Sequence, residues 1–566
     1  MNKLMRIMCV CALALACACT DYVSQLDEIE KQLEELERRT GAVSGSAAEK
    51  ESWLDALQLL TGMADAAVDE ADAEKIAILR GGYPAPVFKV EEGRLEYSVD
   101  GAVSFQDAGL LDTDAVRSFT QDDNNYYFEL AAGGVVTLPK ARPSDVEFPE
   151  KEVDTIDHSK CHIPTYVYKG VRLRHVNPAV FPLEVGLERY GAVVDAGIDI
   201  MMCDGGNVWD NDAYYDEIMV QLDLAEKVGL KIAVVVDCYL ADADYPEGHP
   251  DRLRRMVELV KDHPALWGYQ LYDEPSADLF KTIGSARQVI SEIDPVHPCL
   301  LNLLANGCAT FGPVGSYHTD TYDEYLERCM NEAHPDFLSF DAYPCRVFDV
   351  MEYEWYSTLE QIADRAKANG IDFWAFAATC RIKSGVGMLA APSVATLRLQ
   401  DYTDLAYGAQ GLEYFTWAAQ TGDFADWVVD VNGDINTTNP TFEYLQFVNR
   451  EVQRRAFVFD GCDVKWAGHY HDVPRTCRAV DDSMIPGCIE SVYTQDCFVM
   501  SLLENDGGDS EYFCIVSRTH LRPTSIRLRL KHPVQTVERD GSLKTYFPGD
   551  HDFTIDPGDI LIIKTK

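Results

Sequence analysis

Between about residues 166 and 457, short apolar runs recur, each followed by a longer amphipathic stretch, and this alternation limits the fold more than any other feature of the chain. The runs are Gly170–Arg174, Ile198–Met202, Lys231–Val236, Trp267–Leu271, Cys299–Leu303, Phe337–Phe340, Phe373–Phe376 and Gly411–Trp417. Helix-like segments lie between them, such as Tyr214–Val228, Pro250–Asp262, Leu279–Ile293 and Leu359–Ala368. Strands that alternate with helices build a parallel sheet, and eight strands close it as a (β/α)8 TIM barrel. The structural alternative is an open doubly wound sheet, but no Gly-x-Gly-x-x-Gly turn follows an early strand.

A barrel of this kind carries its site at the C-terminal ends of its strands. Polar groups are expected there from the second strand (Asp204), the third (Asp237), the fourth (Asp273, Glu274), the fifth (Asn306) and the sixth (Asp341, Tyr343); the eighth ends at Trp417. One carboxylate at a strand end means little in an acidic chain. Several on one rim point to a site.

The sharpest segment is Trp267-Gly268-Tyr269-Gln270-Leu271-Tyr272-Asp273-Glu274-Pro275-Ser276. It resembles the fourth-strand signature of the large clan of retaining glycosidases with (β/α)8 barrels, in which an Asn-Glu-Pro tripeptide carries the general acid/base; here Asp273 stands in place of the Asn. The resemblance implies that Glu274 protonates the leaving glycosidic oxygen, which departs poorly as an alkoxide, while a second carboxylate meets the positive charge at the sugar carbon. Ser339-Phe340-Asp341-Ala342-Tyr343-Pro344 is similar to the clan's sixth-strand segment, and Tyr414-Phe415-Thr416-Trp417 to its eighth, which implies a sugar-stacking role for Trp417. Asp204, Asp237, Asp273, Asn306 and Tyr343 complete the expected substrate-binding set.

The seventh strand departs from the clan. Its segment, Phe373 to Cys380, holds no carboxylate where the nucleophile belongs. Three readings follow: Asp341, with Asp237 or Asp204 as alternatives, acts as the partner of Glu274; or the enzyme inverts, with carboxyls about 6.5–9.5 Å apart instead of about 5–5.5 Å; or the barrel binds glycan without cleaving it. Neither a cofactor nor a metal is expected, since there is no His-Glu-x-x-His pattern. The run Gly468-His469-Tyr470-His471-Asp472 offers at most a pair of histidines on one strand face.

The flanks read differently. Lys3 and Arg6 precede an apolar stretch too short to span a membrane, and Leu13-Ala14-Leu15-Ala16-Cys17-Ala18-Cys19 resembles a bacterial lipobox. Residues 1–18 are thus expected to be a lipoprotein signal peptide with Cys19 lipidated, Cys17 being the alternative. Tyr22, Leu26, Ile29, Leu33 and Leu36 follow heptad spacing, so 19–70 reads as a helical stalk and linker with scope for self-association. Alternating runs over 71–150 suggest a small β module, and this layout resembles the N-terminal part of many lipoproteins of gut Bacteroidetes. The barrel is assigned to 160–457, and renewed alternation over 458–566 suggests an antiparallel β domain.

With 93 acidic against 49 basic residues the net charge is -44, and no basic patch interrupts it, so nucleic acid is not an expected partner. The expected partners are a glycan and, through the anchor, the outer membrane, on its periplasmic or cell-surface face.

Overall fold

The computed structural model describes strand backbones between residues 87 and 139 and, apart from short segments such as 172–182, 204–212, 241–247 and 383–388, residues 161–566. The signal segment, Cys19, the stalk and Asp204 lie outside the described residues. The chain divides into two compact units, Met1–Glu152 and Val153–Lys566.

In the first unit, Val87–Glu91, Arg94–Ser98 and Gln106–Leu110 form one antiparallel sheet, and Val116–Gln121, Asn125–Leu130 and Val135–Pro139 form another.

The second unit contains a closed barrel of eight parallel strands. They are β1 (Thr165–Val167), β2 (Ile200–Met202), β3 (Lys231–Val235), β4 (Leu266–Asp273), β5 (Cys299–Leu304), β6 (Leu338–Asp341), β7 (Phe373–Ala378) and β8 (Leu412–Phe415). Each pairs with the next, and β8 closes on β1 through Leu412 opposite Thr165 and Tyr414 opposite Val167. Seven of the expected runs supply strands. At the first place the strand is Thr165–Val167, and the run expected there begins further along the chain, at Gly170.

The helices are α1 (Leu183–Asp195), α2 (Ala213–Val228), α3 (Pro250–Val260), α4 (Phe280–Ile293), α5 (Tyr322–Arg328), α6 (Glu352–Asn369), α7 (Val394–Ala406) and α8 (Thr441–Arg454). Their starts follow local chemistry. Pro250 opens α3, where its missing N–H costs nothing. Ser393 caps α7 by accepting from the Thr396 N–H while Thr396 answers the Ser393 N–H.

Because both faces of a parallel barrel strand are covered, β5 and β7 are buried along their whole length. Aromatic rings fill the interior in two levels. Near the N-terminal ends of the strands, Trp374 packs on Phe337 (4.9 Å) and Trp267 (5.5 Å). Gly411 makes room for this, since a Cβ there would stand 2.2 Å from the Trp374 ring. Nearer the C-terminal ends, Phe376 meets Tyr166 and Tyr168 edge-on (6.1 and 6.3 Å). The rings plug the lumen and leave polar chemistry to the mouth.

After the barrel the same unit continues into antiparallel sheets, a six-stranded one that includes Asp463–Tyr470, Ser510–Ser517 and Ile560–Lys564, and a three-stranded one that includes Thr524–Leu530. Thr524–Leu530 alternates strictly between buried and exposed positions, as a half-solvated sheet requires. Among the described residues, no helix is long and apolar enough to cross a membrane.

Candidate active site

The site starts from an irregularity in β4. Its pairing with β5 slips one residue between Gln270 and Tyr272, so that Asp273 comes to lie directly opposite Asn302. Glu274 then leaves the strand with φ of 49°, held by its N–H donating to the Asn302 carbonyl (3.0 Å). A left-handed backbone at a non-glycine residue costs on the order of 1–3 kcal/mol and persists only where the surroundings impose it. Here Pro275 adds to the constraint, since the residue before a proline is disfavoured in the right-handed helical region.

Asn302 organises the cluster. Its Nδ2 donates to Asp273 Oδ1 (2.9 Å) and to Asp341 Oδ1 (3.1 Å), which fixes two carboxyls from neighbouring strands on one amide. Tyr168, just past β1, donates its hydroxyl to the other Asp273 oxygen (2.7 Å). The Asp341 and Glu274 carboxyls stand close enough to act on each other electrostatically. Neighbouring carboxyls cannot both ionise cheaply, which favours holding a proton on the pair.

The electrostatics follow from this packing. Burial, then the charges of Glu274 and Asp273, push the Asp341 carboxyl well above the usual range, against the opposing bond from Asn302. Partial burial, then the Asp273 charge, raise Glu274, while Asp341 works the other way. Asp237, just after β3, is also raised, chiefly by burial, with the Cys238 N–H opposing and Asp273 adding to the shift.

Below the mouth lies a carboxyl that the sequence analysis passed over. Glu413 in β8 is 0% exposed and accepts from Ser339 Oγ (2.6 Å), while its Oε1 has no hydrogen-bond partner among the described residues. Ser339 Oγ also stands 3.5 Å from Asn302 Oδ1, so a polar chain runs from Glu413 through Ser339 and Asn302 to the carboxyl pair. Burial pushes Glu413 up to about 8 from 4.5, with the Ser339 bond opposing. Folding thus takes up a proton, and the stability it contributes is complete below about 4.5 and is lost as pH rises through about 8. Glu413→Gln cannot ionise. Urea unfolding at about pH 5 and about pH 9 should therefore show the balance moving in favour of the variant by a few kcal/mol, on the order expected of such a shift; a difference that does not vary with pH would contradict this.

The structure brings together most of the expected residues: Asp237, Asp273, Glu274 and Asp341 act on one another electrostatically, and Tyr343 feels the charges of Asp341, Asp273 and Glu274. Two expectations need correction. Asn306 lies two residues beyond the end of β5, and its N–H donates to Thr358 Oγ1 on α6 (2.9 Å). Among the described residues no hydrogen bond joins its side chain to the cluster; Asn302, inside the strand, takes the place assigned to it. Trp417 is 1% exposed and packs edge-on against Phe442, so it offers no ring face at the mouth. Phe415, two residues earlier, does the mouth-side packing, in contact with Tyr168 and Tyr343 (5.6 Å each). At the end of β7, Cys380 is buried and its thiol is pushed up to about 12 by burial, which suits packing and not nucleophilic attack.

These elements define a (β/α)8 barrel with a cluster of carboxyls at its C-terminal mouth. No protein-family model and no curated protein matches the chain. Among solved structures it is similar to a β-galactosidase from Bacillus circulans sp. alkalophilus (10% identity, TM-score 0.48, 72% of this chain and 99% of that one). It is also similar to a glycoside hydrolase family 5 protein from Bacteroides vulgatus (12% identity, TM-score 0.45, 71% and 89%). A further similarity is to a β-galactosidase from the psychrophilic Marinomonas ef1 (11% identity, TM-score 0.37), of which the chain spans 60% while 51% of its own length is covered. The likeness is one of fold, and no residue role is taken from it.

Proposed function

We propose that the chain is a glycoside hydrolase-like protein that cleaves a glycan outside the cytoplasm, with Glu274 as general acid/base and Asp341 as its partner. The observation that carries this reading is the convergence of Asp273, Glu274 and Asp341 at the barrel mouth, where Asn302 bonds Asp273 and Asp341 and where burial and the neighbouring charges push the Asp341 carboxyl up. A glycosidic oxygen entering beside Glu274 would receive its proton from that side chain. The carboxyls nearby, Asp273 foremost, would face the positive charge growing at the sugar carbon. Tyr168 and Asn302 keep Asp273 in place for that role. In the same reading a lipid on Cys19 tethers the barrel to the outer membrane.

A second reading, glycan binding without turnover, draws on one observation: β7 ends without a carboxylate, so the seventh-strand nucleophile is missing. A panel of neutral oligosaccharides and aryl glycosides, assayed for new reducing ends and for binding, separates the two. Hydrolysis by the wild type that is lost in Asp341→Asn supports the hydrolase. Binding with no cleavage of any member, or undiminished cleavage by Asp341→Asn, contradicts it.

A further inference from the structure

His469 was paired with His471 as a possible ligand set in the sequence, and the fold separates them. The strand Asp463–Tyr470 ends between the two; His471 follows in an exposed turn with φ of 60°, while His469 points inward and is 0% exposed. Its surroundings are of another kind. One ring nitrogen of His469, a carboxylate oxygen of Glu360 and the sulfur of Cys477 all lie within 4.8 Å of one another. The three come from separate elements: α6, the strand Asp463–Tyr470 and the loop that follows it.

We propose that Glu360, His469 and Cys477 form a binding site for one divalent transition-metal ion of the zinc type, away from the carboxyl cluster of the barrel mouth. A nitrogen, a thiolate and a carboxylate are the donors that a borderline-soft cation such as zinc takes, and three protein ligands leave a fourth position for water. The groups around them are arranged as outer-shell support. Tyr407 donates its hydroxyl to Glu360 Oε1 (2.9 Å) and stands 3.2 Å from His469 Nε2, and the Arg478 N–H donates to both Glu360 oxygens (3.1 Å each). Such second contacts orient ligands toward an ion. The ring nitrogen that faces Glu360 is Nε2, 3.8 Å from Oε1; the other, Nδ1, is buried with no hydrogen-bond partner among the described residues.

Glu360 and a metal-bound Cys477 thiolate would supply two negative charges, against which stand the Arg478 guanidinium, 3.6 Å from Glu360 Oε2 at the solvent edge, and Arg518, over the Tyr356 ring that packs edge-on against His469. The site stitches α6 to the C-terminal sheet, so metal binding should stabilise that junction.

The test uses the purified full chain after chelator treatment, titrated with cobalt(II) as a coloured stand-in and then with zinc(II). The expected result is one cobalt per chain with a thiolate-to-cobalt charge-transfer band, and a zinc-dependent rise in Tm. Both should disappear in Cys477→Ala, whose partly exposed position leaves the fold intact by circular dichroism. If Cys477→Ala itself fails to fold, alkylation of the wild type under native conditions replaces it: zinc is expected to protect Cys477 from the reagent, as mapped by mass spectrometry. No stoichiometric binding, a cobalt spectrum without a thiolate band, equal zinc stabilisation in wild type and Cys477→Ala, or alkylation of Cys477 unaffected by zinc would overturn the proposal.

Discussion

Glu274→Gln is expected to lower turnover of glycosides with ordinary sugar leaving groups by about 10²–10⁴-fold, the usual worth of a positioned general acid. An amide keeps the size of the side chain and cannot deliver the proton. The loss should shrink sharply for aryl glycosides whose phenolate departs without protonation, because the step that needs Glu274 is then bypassed. Tm should change little: Glu274 is solvent-accessible, and its backbone position is held by the Asn302 carbonyl and Pro275, not by its carboxyl. A uniform loss across both leaving-group types would point to a binding role, and no loss at all would remove Glu274 from the chemistry.

The largest effect on stability is expected far from the mouth. Arg398 on α7 grips Glu451 on α8 with two hydrogen bonds (2.8 and 2.9 Å), and Asp559, in the turn before Ile560–Lys564, joins them. Arg539 donates to Asp559 at 2.9 Å through Nε, and Arg455 and Arg398 approach it at 3.6 and 3.9 Å. Burial alone would raise the Asp559 carboxyl, but the three guanidiniums prevail and hold it well below the usual range. Its contribution is therefore present above the ordinary carboxylate pKa and is lost in acid. Asp559→Ala strands buried arginines, and breaking a buried ionic cluster on one side costs about 3–5 kcal/mol. Urea unfolding near neutral pH measures it. The comparison variant is Asp550→Ala, which breaks an exposed pair with Arg529 (2.7 Å) that water already screens and which should cost far less. Equal costs for the two would show that the buried cluster is replaceable by solvent.

What could be read in advance, and what could not, has physical causes. β7 and, after Lys231, β3 are buried on both faces, so they appear in the sequence as unbroken apolar runs, and β5, buried throughout, is broken only by Asn302. β1 did not stand out, because it spans only Thr165–Val167 and the longer alternation of Val171 and Leu173 drew attention past it. The carboxyls at the strand ends were legible because a barrel places strand ends on one rim. Asn302, Ser339 and Glu413 were not, since they sit inside strands, where the working assumption is packing. Yet each is a polar residue within an otherwise apolar run (Cys-Leu-Leu-Asn-Leu-Leu is the clearest), and a buried polar group in a strand must find a partner. That signal was available. The depth at which Trp417 lies was not, because it depends on how the segment after β8 packs against Phe442 on α8.

The account rests on where one proton lies. Neutron diffraction from deuterated crystals near neutral pD would locate it directly. One deuteron held by the carboxyl groups of Glu274 and Asp341 is the predicted result. Two bare carboxylates turned away from each other, or each bound separately to water, would contradict it.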